Sequence, residues 1–322
     1  MSGTATAEME GVARGAWPQR VGLALRDIKL AHSVFALPFA VLGAFLAAPM
    51  FRGEGATAGG GWGRFAGQLG LVVVCMVFAR TWAMLVNRIA DRAFDAANPR
   101  TAGRALASGR LGRSDAVRIA VIAGLAFVVC CGLFWMAFDN PWPLMLALPT
   151  LVWIAFYSFT KRFTWASHLF LGGALAASPV AAAIAVDPTY LWHGTPLWCL
   201  ASMVLCWVAG FDVLYSLQDE AFDRGVGLRS VPARWGGRSA RWMSRGLHAL
   251  AFGALVLVWV SDPRLGTIFG VAGLGVGALL VWEHVHLSRR GIAGLPVSFG
   301  LINGVVALAV GSAGCFDVML RG

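Results

Sequence analysis

Charge is what this sequence has least of. Only 13% of its 322 residues are Asp, Glu, Lys or Arg, against roughly 25% in soluble domains. With 58% hydrophobic residues as well, it cannot cover a globular surface with polar groups, and an ordinary soluble protein is excluded. Cysteines at C-x-x-C spacing are also absent. Cys75, Cys130, Cys131, Cys199, Cys206 and Cys315 all fall in apolar stretches and read as small buried hydrophobes rather than metal or redox ligands. No compact D-x-x-D-G-x-x-A-R arrangement occurs, which argues against a membrane phosphotransferase acting on CDP-alcohols. A cleaved signal is missing too: the first apolar run, LAHSVFALPFAVLGAFLAA, is too long for one and reads as a retained helix.

What the chain does have is a series of long apolar runs, most reaching the roughly 20 residues that cross a bilayer, and a mean hydropathy of +0.70. They predict an all-α polytopic membrane protein with nine transmembrane helices, near 30–49, 68–90, 116–137, 143–159, 165–185, 196–217, 246–261, 265–283 and 292–316. Residues 1–29 are rich in Ala and Gly without an apolar core and are expected to be a disordered leader. Residues 30–322 then form one domain, with long basic loops at 91–115 and 218–245.

The net charge of +10 could indicate nucleic acid, but the arginines gather between apolar runs, where the positive-inside bias puts them. With the N-terminus cytoplasmic, inside segments carry 21 of the 26 Lys and Arg; Arg52, Arg64, Arg264 and Arg321 stay outside, and Arg80 lies within the second span. That orientation predicts a multi-pass protein of the cell membrane, the inner one, whose N-terminus and two long loops are cytoplasmic.

Two acidic clusters end spans four helices apart. In NRIADRAFDAANPR, Asn87, Asp91 and Asp95 recur every four residues, so they share one helix face; in FDVLYSLQDEAFDRG, Asp212, Asp219 and Asp223 share another, with Tyr215 nearby. Carboxylates so spaced repel one another unless a cation stands between them. Carboxylate and carboxamide oxygens suit Mg²⁺, which is commonly completed by water and substrate phosphates. Each cluster is followed by arginines, Arg100 and Arg104 in PRTAGR and Arg229 in LRSVPAR, whose guanidinium groups match phosphate oxygens. Lys161 and Arg162 end the fourth span, with Tyr157 one turn above. A diphosphate bridged by Mg²⁺ satisfies both sets, and Asp91, Asp95, Asp219 and Asp223 are the candidate catalytic residues. Arg80 sits about 10 Å up the helix from Asn87 in an apolar run, a candidate for an anionic organic substrate. His32 is a candidate for the cytoplasmic mouth. The pair in HVH, His284 and His286, reads as an ordinary helix-end feature.

These stretches, with YSFTKRFTWASHLFLG and LAHSVFALPFA, resemble the UbiA superfamily of intramembrane prenyltransferases from about residue 25 onward. Asn87, Asp91 and Asp95 match its first aspartate-rich motif; Asp212, Asp219 and Asp223 match its second, with Tyr215 in the tyrosine place. The resemblance implies nine helices around a central cavity and Mg²⁺-dependent transfer of a polyprenyl group from polyprenyl diphosphate to the ring of an aromatic acid. The acid expected is 4-hydroxybenzoate or a relative, with Arg80, Tyr215 and His32 toward that acceptor. The wording QDEAFDRGVGLRSVPARWG resembles the menaquinone branch that prenylates 1,4-dihydroxy-6-naphthoate. The second motif lacks the adjacent acid pair of many relatives, which leaves the acceptor open. A haem farnesyltransferase is an alternative within the chemistry and a secondary transporter outside it, although transporter sites favour broken helices at the midplane. Membrane lipid is an expected partner; nucleic acid and an obligatory protein partner are not.

Overall fold

The computed structural model describes residues 16–28, 35–53 and 61–322. The chain is helical throughout these residues, and it is a multi-pass membrane protein. Among the described residues eight helical segments are long and apolar enough to cross a bilayer. The first expected span is described only as the 11-residue helix α2, Leu37–Ala47, because residues 29–34 lie outside the described residues. Eight spans, rather than the expected nine, are therefore counted.

The long helices are α3 (Gly61–Ala90), α5 (Arg113–Phe138), α6 (Trp142–Thr160), α7 (Ser167–Val186), α9 (Thr195–Tyr215), α11 (Val231–Ser261), α12 (Thr267–Arg290) and α13 (Asn303–Arg321). Short helices α4 (Arg92–Ala97), α8 (Tyr190–His193) and α10 (Glu220–Gly225) lie between them. Proline stands at the first turn of α2, α6, α9 and α11, where no backbone donor is missed. The core is built on α9, which packs against α7 and α11, while α3 packs on α5 and α2 on α7 and α13. Leu200, Met203, Trp207 and Val208 of α9 are fully buried, and Trp207 Nε1 donates to Asn303 Oδ1 at 3.1 Å. α7 and α9 approach closely at Gly172, where a Cβ would stand 2.4 Å from the Leu205 carbonyl oxygen; glycine permits that approach.

Two sequence expectations change. Residues 16–28 of the supposed disordered leader include a helix, α1 (Trp17–Asp27). Ala24 and Ile28 are buried, Arg20 pairs with Asp115 at 3.2 Å, and Asp27 Oδ1 accepts the Ala105 N–H at 2.7 Å. Its polar residues concealed a helix that docks by one face. The loop expected at 218–245 is largely helical, so the short seventh span becomes a 31-residue helix; an apolar-run criterion stops where the membrane stops, not where the helix does. Gly236 breaks that helix with φ 79°, a region that favours glycine. The last span begins with a π-helical turn, Val297–Ile302, before α13.

Candidate active site

The first acidic motif keeps its helical register through a break. Asp91 separates α3 from α4, yet its N–H still bonds the Asn87 carbonyl at 2.9 Å and the Asp95 N–H bonds that of Asp91 at 2.8 Å. Asn87 Nδ2 donates to Asp91 Oδ2 at 3.0 Å, and Arg88 holds Asn87 Oδ1 at 2.8 Å. The second motif ends α9, with Asp219 in the 3₁₀ turn Ser216–Asp219 and Asp223 in α10.

The fold brings the two motifs and the Lys161–Arg162 pair together. Arg162 from the end of α6 donates to Asp91 Oδ1 at 3.0 Å. Arg100, from the loop after the first motif, grips both oxygens of Asp219 in the second, at 2.8 and 2.5 Å, and Asn98 Nδ2 adds a bond at 2.9 Å. Arg104 holds both oxygens of Asp95 at 2.6 and 2.7 Å. Lys161 Nζ stands 3.8 Å from Asp223 Oδ2. Burial alone would lower the pKa of Lys161, but Asp223, then Asp212, Asp219 and Asp91, outweigh it and raise the value. Burial, with Asp95 nearby, pushes Asp91 up to about 6 against the pull of Arg162.

The acids and bases of the site are thus interleaved, with Asp91, Asp95, Asp219 and Asp223 each already facing a cationic side chain. Among the described residues no three His, Cys, Asp or Glu side chains converge as a metal cluster. The reason is electrostatic: carboxylates at four-residue spacing need a cation, and here guanidinium and ammonium groups supply it. The donor set still fits Mg²⁺, being carboxylate and carboxamide oxygens. Asp223 is 3% exposed and its Oδ2 has no hydrogen-bond partner, an oxygen suited to a cation.

Of the other predicted residues, Tyr215 joins this site, and Arg229, Arg80 and Tyr157 stand apart from the acids. Tyr215 takes a 3.4 Å bond from Arg100 and packs on Phe299 with ring centroids 4.3 Å apart. Arg229 does not meet the acids: its guanidinium donates to the Phe163 carbonyl at 2.6 Å, and its N–H bonds the Lys161 carbonyl at 2.7 Å. It braces the turn after α6. Arg80 and Tyr157 line an apolar cavity of about 650 Å³ between α3, α5, α6, α7 and α9. Arg80 Nε is buried without a hydrogen-bond partner, while the Tyr157 hydroxyl lies 3.9 Å from the Met84 sulfur. His32 lies outside the described residues. At the same end of the bundle as Lys161 and Arg162, Trp165 meets Trp235 edge to face at 4.7 Å.

Sequence reasoning missed Asn98, Arg88 and His168. Asn98 sits in NPR and Arg88 beside Asn87, so adjacency offered a faint signal; His168 offered none, since its partners lie 44 and 63 residues away. It also missed that His284 is not a plain helix-end residue. His284 Nε2 meets His248 Nδ1 at 3.1 Å beside the fully buried Glu283.

Residues 34–310 match the UbiA prenyltransferase family. A 4-hydroxybenzoate octaprenyltransferase of Chromohalobacter salexigens is 31% identical over 228 residues, covering 70% of this chain and 72% of that protein. One from Xanthomonas campestris pv. campestris is 31% identical over 236 residues, covering 72% and 73%. The apo structure of a UbiA homolog from Aeropyrum pernix K1 superposes with TM-score 0.74 at 27% identity, over 88% of this chain and 97% of that one. A UbiA homolog from Archaeoglobus fulgidus bound to GPP and Mg²⁺ has the same fold, with TM-score 0.67 at 17% identity over 92% and 99%.

Proposed function

The chain belongs to the UbiA prenyltransferase family, and from that premise we propose that it transfers a polyprenyl group from polyprenyl diphosphate to the ring of an aromatic acid, 4-hydroxybenzoate or a close relative, in a Mg²⁺-dependent reaction. The observation that carries this reading is the interleaving of both aspartate motifs with Arg100, Arg104, Lys161 and Arg162 near the cavity that holds Arg80.

Asn87, Asp91, Asp95, Asp212, Asp219 and Asp223 would hold the metal, which when bound supplies positive charge to the leaving diphosphate. Arg100, Arg104, Lys161 and Arg162 bind the diphosphate oxygens, favouring the charge that develops as the allylic C–O bond breaks. The electron pair of that bond leaves with the diphosphate. A ring carbon ortho to the acceptor hydroxyl bonds C1, and the ring proton passes to the released diphosphate, restoring aromaticity. The apolar cavity wall excludes water that would intercept the allylic cation. Arg80 orients the acceptor by its carboxylate, a geometry guanidinium favours.

In this reading nine helices surround a central cavity, and the N-terminus and both motif loops are cytoplasmic; the 21-to-4 distribution of basic residues supports that orientation. The test is a side-by-side assay of purified protein with radiolabelled polyprenyl diphosphate and either 4-hydroxybenzoate or 1,4-dihydroxy-6-naphthoate, with and without EDTA. Product from 4-hydroxybenzoate that chelation abolishes and Mg²⁺ restores is expected. Product from the naphthoate alone moves the chain to the menaquinone branch, and full turnover in excess EDTA refutes the metal assignment.

A further inference from the structure

His168 is a buried polar residue in α7, 1% exposed, and both its ring nitrogens are engaged. Its Nδ1 lies 2.6 Å from Asp212 Oδ2, and its Nε2 lies 3.3 Å from the backbone nitrogen of Val231. The backbone N–H can only donate, so Nε2 is the acceptor and the ring proton sits on Nδ1, directed at the carboxylate. That bond commits one oxygen of Asp212 and fixes the plane of the group, leaving the other oxygen for a cation. Asp212 stands on the last turn of α9, which runs directly into the 3₁₀ turn that carries Asp219. Val231 opens α11 immediately after the Ser230 cap, two residues beyond Arg229. One imidazole therefore ties a motif carboxylate on α9 to the turn that braces Lys161.

We propose that His168 is a positioning residue for the prenyl-transfer site: its Nδ1–H orients the Asp212 carboxylate for Mg²⁺, while Nε2 anchors it to the start of α11. The proposal rests on the reading of Asp212 as a metal ligand. Outer-shell partners that orient ligands in this way commonly account for 10–100-fold in metal affinity.

The test titrates Mg²⁺ into the purified, detergent-solubilised protein and follows thermal stabilisation, in parallel with the KM for Mg²⁺ in turnover. D212N comes first: if it binds Mg²⁺ as the parent does, the ligand reading itself fails and the proposal with it. Given a weakened D212N, H168N and H168Q are compared. An asparagine amide places its N–H near the position of Nδ1, whereas a glutamine amide reaches toward that of Nε2. H168Q should weaken Mg²⁺ binding by about tenfold or more with a matching rise in KM for Mg²⁺, and H168N should restore most of both. Equal behaviour of the two variants, whether both intact, both impaired or both unfolded, overturns the proposal, since a purely structural imidazole has no reason to distinguish the two amides.

Discussion

Replacing Arg100 by methionine should change Mg²⁺ and donor binding in opposite directions. In the substrate-free protein its guanidinium covers both oxygens of Asp219, at 2.8 and 2.5 Å, so a metal must displace it. Asp219 is 7% exposed and keeps the Asn98 bond, so the freed carboxylate stays ordered. A hydrogen bond to a charged group contributes about 1.5–3 kcal/mol. The Arg100 side chain is 30% exposed, and screening lowers the figure to about 1–2 kcal/mol. Without donor, R100M should then bind Mg²⁺ about five- to thirtyfold more tightly, while its KM for polyprenyl diphosphate rises. Calorimetric titration of Mg²⁺ into donor-free protein reads the first effect and steady-state kinetics the second. R118M is the control, because Arg118 is exposed and stands 3.9 Å from Asp115, outside the site. If R100M binds Mg²⁺ no more tightly than the parent, or R118M does so equally, guanidinium and metal do not compete and the reasoning fails.

Three further outcomes are expected. R80M should raise the KM for the aromatic acid by about ten- to a hundredfold, the loss of one charge-assisted contact of about 1.5–3 kcal/mol; an unchanged KM would reject its role. Gly172→Ala forces a Cβ to within 2.4 Å of the Leu205 carbonyl and should cost about 1–3 kcal/mol, visible as a lower Tm in detergent. Gly246→Ala, inside α11 with nothing within 4 Å, should keep or slightly raise Tm, and equal Tm values for the two would contradict the close approach. Finally, Asp91 is pushed up to about 6, so Mg²⁺ affinity of the donor-free protein should fall as pH drops through that value and the carboxylate protonates. For this group alone the raised value favours the fold at lower pH, so the loss is not unfolding. A D91N protein that retains the same pH step would refute the assignment.

The parts of the site governed by local spacing were legible in the sequence. Four-residue intervals put Asn87, Asp91 and Asp95 on one face, and that register survives the break at Asp91. The excess of apolar length showed the membrane class. What stayed hidden depends on contacts between distant segments. Nothing near Arg100 indicates that it closes on Asp219, 119 residues away, rather than waiting for phosphate. Nothing in ASHLF points His168 at Asp212. The helices α1 and the first turns of α11 were missed because both are polar, and their order comes from docking one face rather than from apolar length.

The tryptophans beside the site have a consequence for substrate delivery. Trp165 and Trp235 are 40% and 42% exposed and pack together three residues beyond Arg162, and tryptophan settles at the level of lipid headgroups. In the proposed reading, they would register the carboxylates and arginines at the depth where a membrane-dissolved isoprenoid already carries its own headgroup. Extracting a long prenyl tail into water costs about 0.8 kcal/mol per CH₂, a barrier that would dominate any turnover requiring it. With the reacting end at headgroup depth, the donor can arrive by diffusion in the plane of the bilayer, and its concentration is set by two-dimensional density rather than by aqueous solubility. Rates should accordingly follow the mole fraction of donor in the lipid rather than its amount per volume of buffer.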